Sequence, residues 1–393
     1  MANQIKAIDL FSGCGGVSCG LTNVKFIVKA AVEIDASAVN TYLAYPPHNK
    51  VNVLKQDICD LTGAEILAAA KIKPDELYLF AGCPPCQNFS RKNRESKNKT
   101  EEERKKLLFE FLRIVEEVHP PFVLMENVPG IQTEFNMGIL TEFLERLRNK
   151  DGAEDSKYIV VTDILNASDY GVPQARKRFV LHAVRYDIWV ELKSYGFEFK
   201  LPLPTHSNGG VNNLLPWVTV RDAIGDLPEI EAGETYPDDG NIHNHKCASL
   251  SETNLDRIRH IRAGGGSRTS LPENLILECH KEKDGKTAFS GHGDVYGIMD
   301  ADKPSPTMTG GCLCYSKGRY GHYEQNRAIS IREAARLQTF PDDFEFSNNL
   351  GKAALQIGNA VPVRLVEASA AEIKKAILLI KRKRKQNKDN TIK

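Results

Sequence analysis

The chain is 393 residues long, 41% hydrophobic and 26% charged, with a net charge of +1 at neutral pH. Such a composition fits a folded protein with room for one large domain and a smaller one, and it gives no global sign of a polyanion partner. The opening Met-Ala-Asn-Gln-Ile-Lys lacks the apolar stretch of a signal peptide, no apolar run approaches the roughly 20 residues that cross a bilayer, and nine cysteines are scattered along the chain, so a cytoplasmic protein with free thiols is expected.

In chain order, the first third alternates β-branched runs with helical ones. Candidate strands cover residues 5–11, 26–33, 51–56, 77–81, 122–126 and 158–165, while 36–44, 63–70 and 103–118 carry apolar residues at helical spacing. Strand, helix, strand in repetition predicts an α/β fold with a mostly parallel sheet covered on both faces, whose functional residues collect at the carboxyl ends of the strands. Beyond about residue 202 the texture turns to Pro, Gly, Asn and charged residues, as in His206-Ser-Asn-Gly-Gly and Arg262-Ala-Gly-Gly-Gly. A helical pattern resumes at 329–338, and a last helix runs from Val363 into a basic tail. The expected organisation is a main domain over 1–205, a smaller inserted domain over 206–327, and a return to the main domain over 328–393.

The strand ends carry the chemistry. "AIDLFSGCGG" is an apolar strand feeding the turn Gly13-Cys14-Gly15-Gly16, and glycines there let backbone approach a ligand. Glu33 ends the second candidate strand about 20 residues on, where a carboxylate grips ribose hydroxyls in nucleotide-binding sheets, and Asp57 ends the third. No Gly-x-x-x-x-Gly-Lys-[Ser/Thr] occurs, which argues against a phosphate-cradling loop.

"AGCPPCQNFSRKNR" follows the fourth strand. Its Cys83 and Cys86 fit a redox pair, half of a zinc site, or a single nucleophile, and the motif alone does not choose. Arg91, Lys92, Arg94, Lys97 and Lys99 crowd the residues behind it, and residues 381–385 read Lys-Arg-Lys-Arg-Lys. Basic clusters neutralise phosphates, although a terminal run is equally a solvated tail. "MENVPG" after the fifth strand puts Glu126 and Asn127 on the same rim as Cys86. Alone, Glu126 reads as a helix cap; beside a thiol and a nucleotide-type site it reads as catalytic. Gln174, Arg176 and Arg178 alternate in "YGVPQARKRFV", so both guanidiniums would share one face of an extended segment. They suit a phosphate or a carbonyl to be polarised, or a solvated edge strand. Gly358-Asn359 precedes a helix and by itself suggests a cap.

Together and in order, "DLFSGCGG", "EID", "PPCQNFS", "ENVPG", "QARKR", "REAARLQTFP" and "GNAVP" resemble the C5-cytosine DNA methyltransferases, over nearly the whole chain except about 206–300. The resemblance implies the S-adenosylmethionine-dependent methyltransferase fold, with 1–205 as catalytic and cofactor-binding domain and 206–327 as target-recognition domain. It implies S-adenosylmethionine as cofactor, held by Phe11, Gly13, Gly16, Glu33, Ile34, Asp57, Ile58, Leu107, Asn359 and Ala360; Ile34 stands where the family often has an aromatic. Cys86 would be the nucleophile, Glu126 the carboxyl at the base, Arg176 the contact to the cytosine carbonyl, and Asn127 the organiser of the loop. Gln87, Ser90, Arg91, Arg178, His292 and Thr307 would meet DNA, with the target cytosine swung out of the duplex. No metal is expected. The partner is double-stranded DNA, with a separately acting restriction endonuclease, and the protein is expected to be a monomer in a bacterial cytoplasm. Competing readings are the same chemistry on tRNA, a catalytically silent DNA-binding regulator, and a zinc or redox protein using Cys83, Cys86, Cys312 and Cys314.

Overall fold

The computed structural model describes residues 4–73, 75–85, 100–148, 158–238, 240–278, 281 and 294–391. The chain forms two compact units, one of Met1–Tyr170, Lys177–Thr205 and Val361–Lys393, the other of Gly171–Arg176 and His206–Ala360.

The first unit runs β1 (Ile5–Leu10), α1 (Gly16–Asn23), β2 (Phe26–Val32), α2 (Ala36–Ala44), β3 (Asn52–Leu54), α3 (Gly63–Ala70), β4 (Leu79–Gly82), α4 (Glu101–Val118), β5 (Phe122–Asn127), α5 (Glu134–Leu147), β6 (Tyr158–Asn166), β7 (Lys177–Arg185) and α6 (Tyr186–Ser194). The seven strands form one sheet in the order β3-β2-β1-β4-β5-β7-β6, parallel except for β7, which is antiparallel to both its neighbours. Strands covered on both faces need apolar residues at successive positions, which is why "LFAG" of β4 is wholly buried. Local signals set the helix starts: Thr62 with Glu65 and Thr100 with Glu103 form reciprocal capping boxes on α3 and α4, and Asp35 accepts from the amide of Ala38 on α2. Phe80, Phe111, Val123 and Phe143 are among the fully buried side chains that join sheet to helices.

β7 sharpens the reading of "QARKR". The strand begins at Lys177, so Arg178 lies on the sheet, whereas Arg176 belongs to the second unit. The two guanidiniums therefore do not share one extended face.

The second unit contains β8 (His206–Ser207), β9 (Leu215–Pro216), α7 (Val220–Ile224), α8 (Glu252–Ala263), α9 (Ile331–Leu337) and α10 (Leu350–Asn359), with long irregular segments between them. Its small apolar core centres on Ile258, Ile261, Tyr315 and Ala328. Buried polar bonds supplement it. Arg327 pairs with Glu333 at 2.7 Å with both side chains 1% exposed, and His245 Nδ1 lies 2.9 Å from the Ser330 hydroxyl. These bonds explain a departure from the expected boundaries: the unit begins near residue 206 but continues to Ala360, so 328–360 stay with it and the return starts at Val361. α11 (Val363–Thr391) then closes the first unit against α1, where glycine at position 20 leaves room for Val366. No helix among the described residues is long and apolar enough to cross a membrane.

Candidate active site

The strand order reverses at β1, with β2 and β3 to one side and β4 and β5 to the other, so the carboxyl ends of β1 and β4 border a crevice. The chain leaves β1 through left-handed conformations at Phe11 (φ 56°), Gly13 (φ 54°) and Gly15 (φ 106°). Such backbone in a non-glycine residue stores strain, and it recurs where ligands bind. This turn brings the Gly13 amide to Glu33, whose Oε2 accepts from it at 2.8 Å while Oε1 accepts from the Asp35 amide at 2.8 Å. Glu33 is thereby pinned between the ends of β1 and β2, with lone pairs left for further donors. Beside it Ile34 is 66% exposed, an uncovered aliphatic side chain at the rim. At the end of β3, Asp57 accepts from the Cys59 amide at 3.0 Å, which holds its carboxyl below the ordinary range. Ile58 is buried in the same core against which Phe11 and Leu107 pack, and Gly16 opens α1.

Beneath this turn lies a feature that the sequence reading passed over. Asp9 is fully buried in β1 and accepts from the Ser18 hydroxyl at 2.6 Å, and Ser18 lies 2.7 Å from the Tyr42 hydroxyl. Burial pushes the Asp9 carboxyl up to about 7. A side chain on Gly15 would meet the Tyr42 ring at 2.9 Å, so the turn sits directly on this network. The available signal was the lone acid inside the apolar run "AIDLF".

On the other side of the crevice, Cys83 leaves β4 with its amide 3.3 Å from the Leu10 carbonyl. It lines a small cavity with Glu126 of β5, Val180 of β7 and Leu365 of α11. Cys86, Gln87, Ser90 and Arg91, with the cations behind them, lie outside the described residues, as does His292. The approach to Cys86 is nevertheless tethered. Asn127, 1% exposed, donates from Nδ2 to the Pro84 carbonyl at 3.3 Å and accepts from the Val128 amide at 2.8 Å. Its neighbour Glu126 meets Arg178, Oε1 to Nε, at 2.6 Å, with the side chains 13% and 11% exposed. Both belong to the first unit, and the sheet register sets Glu126 opposite Val180, two residues along β7 from Arg178.

Arg176 is placed otherwise than expected. It is 2% exposed; Nη1 donates to the Met308 carbonyl at 2.6 Å, and Nη2 donates to the carbonyls of Gly358 (2.9 Å) and Ala360 (3.1 Å). The guanidinium beside Glu126 is that of Arg178, because three backbone carbonyls of the second unit hold Arg176. Gln174 completes this knot by accepting from the Met308 amide and donating to the Leu337 carbonyl, while Gln338 donates to the Ile357 carbonyl. The Thr307 hydroxyl donates to the Ala175 carbonyl at 2.9 Å. Thus residues 174–176, 307–308, 337–338 and 357–360, far apart in sequence, meet within the second unit, and Asn359 and Ala360 lie there too. No group of three or more His, Cys, Asp or Glu suited to a metal ion occurs among the described residues.

The family model described as "C-5 cytosine-specific DNA methylase" matches residues 5–375. The chain is 37% identical over 374 residues to the Type II methylase M.HgiDII of Herpetosiphon aurantiacus, covering 94% of each protein. It is 35% identical over 377 residues to the Type II methyltransferase M1.HphI of Haemophilus parahaemolyticus, covering 95% of this chain and 87% of that one. Among solved structures, a putative DNA modification methyltransferase encoded within an Escherichia coli prophage superposes with a TM-score of 0.63 at 26% identity, covering 95% and 99% of the two chains. The Dnmt2 methyltransferase of S. pombe shares the fold, with a TM-score of 0.56 at 18% identity and 95% and 99% coverage.

Proposed function

The chain belongs to the C-5 cytosine-specific DNA methylase family, and on that premise we propose that it methylates C5 of a cytosine, swung out of a specific duplex DNA sequence, through a covalent adduct with Cys86. The observation that carries this reading is the Glu126–Arg178 pair at the end of β5, next to Asn127, whose side chain tethers the segment leading to Cys86.

S-adenosylmethionine is the cofactor proposed for the crevice, where Glu33, pinned at the rim with lone pairs to spare, would hold its ribose, Asp57 and Ile58 would meet the adenine with Ile34 packing against it, and Phe11, Gly13, Gly16 and Leu107 would line the pocket; Asn359 and Ala360, in the second unit, keep the cofactor role that the family resemblance implies. When bound it supplies an electrophilic methyl group.

The residues of the chain prepare the base to accept that group. C5 of cytosine is a poor nucleophile, so the Cys86 thiolate first adds to C6, forming a carbon–sulfur bond and shifting the ring electrons toward C5 and N3. Glu126, in its protonated form, donates to N3 as negative charge develops there. Arg178, already at Glu126, rather than Arg176 takes the contact to the cytosine carbonyl oxygen. Asn127 keeps the Pro84 segment in register. Loss of the C5 proton, with water as acceptor, then lets the electron pair re-form the C5–C6 double bond and expel Cys86 as thiolate. Gln87, Ser90, Arg91, Thr307 and His292 would face the DNA. The proposal extends to a cytoplasmic monomer working alongside a separate restriction endonuclease, in keeping with the Type II relatives.

Incubation with S-adenosylmethionine and duplex DNA containing 5-fluorocytosine should trap a covalent complex, because fluorine blocks the elimination. Cys86→Ala should form none and lose methyl transfer while still binding cofactor. Trapping on tRNA but on no duplex would replace DNA as the substrate, and trapping by Cys86→Ala would remove the nucleophile.

A further inference from the structure

The basic run at residues 381–385 is divided by the structure into two sets of side chains. α11 starts at the carboxyl rim, where Leu365 lines the same cavity as Glu126. It then passes Val24, whose carbonyl accepts from Lys374 Nζ at 2.6 Å, and reaches Gln4, just before β1, whose carbonyl accepts from Lys381 Nζ at 3.1 Å. At 1.5 Å per residue, the helix from Val363 to Lys381 is about 27 Å long. The basic run therefore sits at the amino edge of the sheet, opposite the crevice.

At that edge Lys381, Lys383 and Arg384 turn inward. Arg384 pairs with Glu191 of α6 at 2.7 Å, and Lys383 Nζ lies 5.7 Å from the Tyr195 ring centre. Arg382, Lys385 and Lys388 are exposed, and their spacing of three keeps them near one another on the helix surface. The Lys6 ammonium, which donates to the Lys71 carbonyl, is paired with Glu76, and Lys71 and Lys73 are themselves exposed nearby. A solvated tail would lack such anchors. Here three contacts hold the helix, so its ordering entropy is already met and the outward cations are presented in place.

We propose that this amino edge is a second, non-catalytic contact for duplex DNA, in which Arg382, Lys385 and Lys388 neutralise phosphates of a segment other than the one at the crevice. The inference rests on DNA being the substrate. Its occupant follows from charge: Arg382, Lys385 and Lys388 are exposed cations spaced along one helix, and such side chains suit the phosphate backbone and carry no base readout.

The test measures binding of the full chain, without cofactor, to a random duplex of about 200 base pairs over a series of salt concentrations. Replacing Arg382, Lys385 and Lys388 together by Gln should weaken binding and flatten the slope of log K against log salt by roughly 2 to 3, near 0.9 for each phosphate neutralised. The charge-preserving set R382K, K385R and K388R should keep the parental slope. Binding of S-adenosylhomocysteine checks that each variant is folded. An unchanged slope in the Gln variant overturns the proposal, as does an equal loss in the charge-preserving one. Failure of the parent chain to methylate any duplex would count against the enzymatic reading alone, since the slopes are read without turnover.

Discussion

Two arginines in one short motif show how differently the fold uses the same residue type. Arg178 reaches Glu126 at the crevice, while Arg176 is spent on the backbone of Met308, Gly358 and Ala360. Replacing Arg178 by Lys should lower kcat at least tenfold with little change in Tm, because an ammonium cannot present the same planar fork. Replacing Arg176 by Met should instead lower Tm by several degrees, since each buried carbonyl left without a donor costs about 1–3 kcal/mol. Steady-state kinetics and thermal melting on the two variants separate these outcomes; a Tm loss confined to Arg178 would reverse the assignment. The motif was legible as a pair of cations. Which one meets Glu126 was not, because alternation along an extended strand makes the two equivalent until the strand's first residue is known.

At the scale of elements, the alternating strands and helices of the first unit could be read directly, since burial on both faces demands apolar runs in the strands and the helices carry apolar residues at helical spacing. The second unit was legible mainly as a change of texture. Its order depends on close approaches that leave no periodic trace. Gly358, near the end of α10, is one: a Cβ there would lie 2.1 Å from the carbonyl carbon of Thr309. Gly358→Ala should therefore push the 307–311 segment away, cost roughly 1–3 kcal/mol as overpacking does, and release the Arg176 and Gln338 bonds to residues 357–360. Hydrogen exchange should show faster opening of the amides of Met308 and Cys312, with β1 to β5 unaffected; equal acceleration throughout would contradict a local effect.

For the whole molecule, burial sets the response to acid. His48, His182 and His322 are each lowered by burial to about 4, against about 6.5 in an unfolded chain. Between those values the unfolded chain binds more protons, so stability falls as pH drops through the window from about 6.5 to 4. Asp9 acts in the opposite sense, since its raised carboxyl makes the folded state the better proton binder between about 4 and 7. Three histidines outweigh one aspartate, and Tm should fall between pH 7 and pH 5. For Glu333, burial alone would raise the carboxyl, but Arg327 overcomes it and holds it at about 2, so that its contribution is lost only below about pH 4. A Tm flat or rising from pH 7 to pH 5 would show that these histidines are not buried in neutral form.

The sequence by itself determined the fold class, the order of the first six strands along the chain, and the placing of Glu33, Glu126 and Asn127 at strand ends. Each follows from local patterning and from the rule that parallel strands deliver their loops to a common edge. Only the tertiary structure decided that β7 runs antiparallel, that Arg178 rather than Arg176 meets Glu126, that residues 328–360 stay with the second unit, and that Lys381, Lys383 and Arg384 anchor a tail whose remaining cations project. Those outcomes depend on pairings between residues far apart in the chain, whose geometry composition and periodicity do not encode.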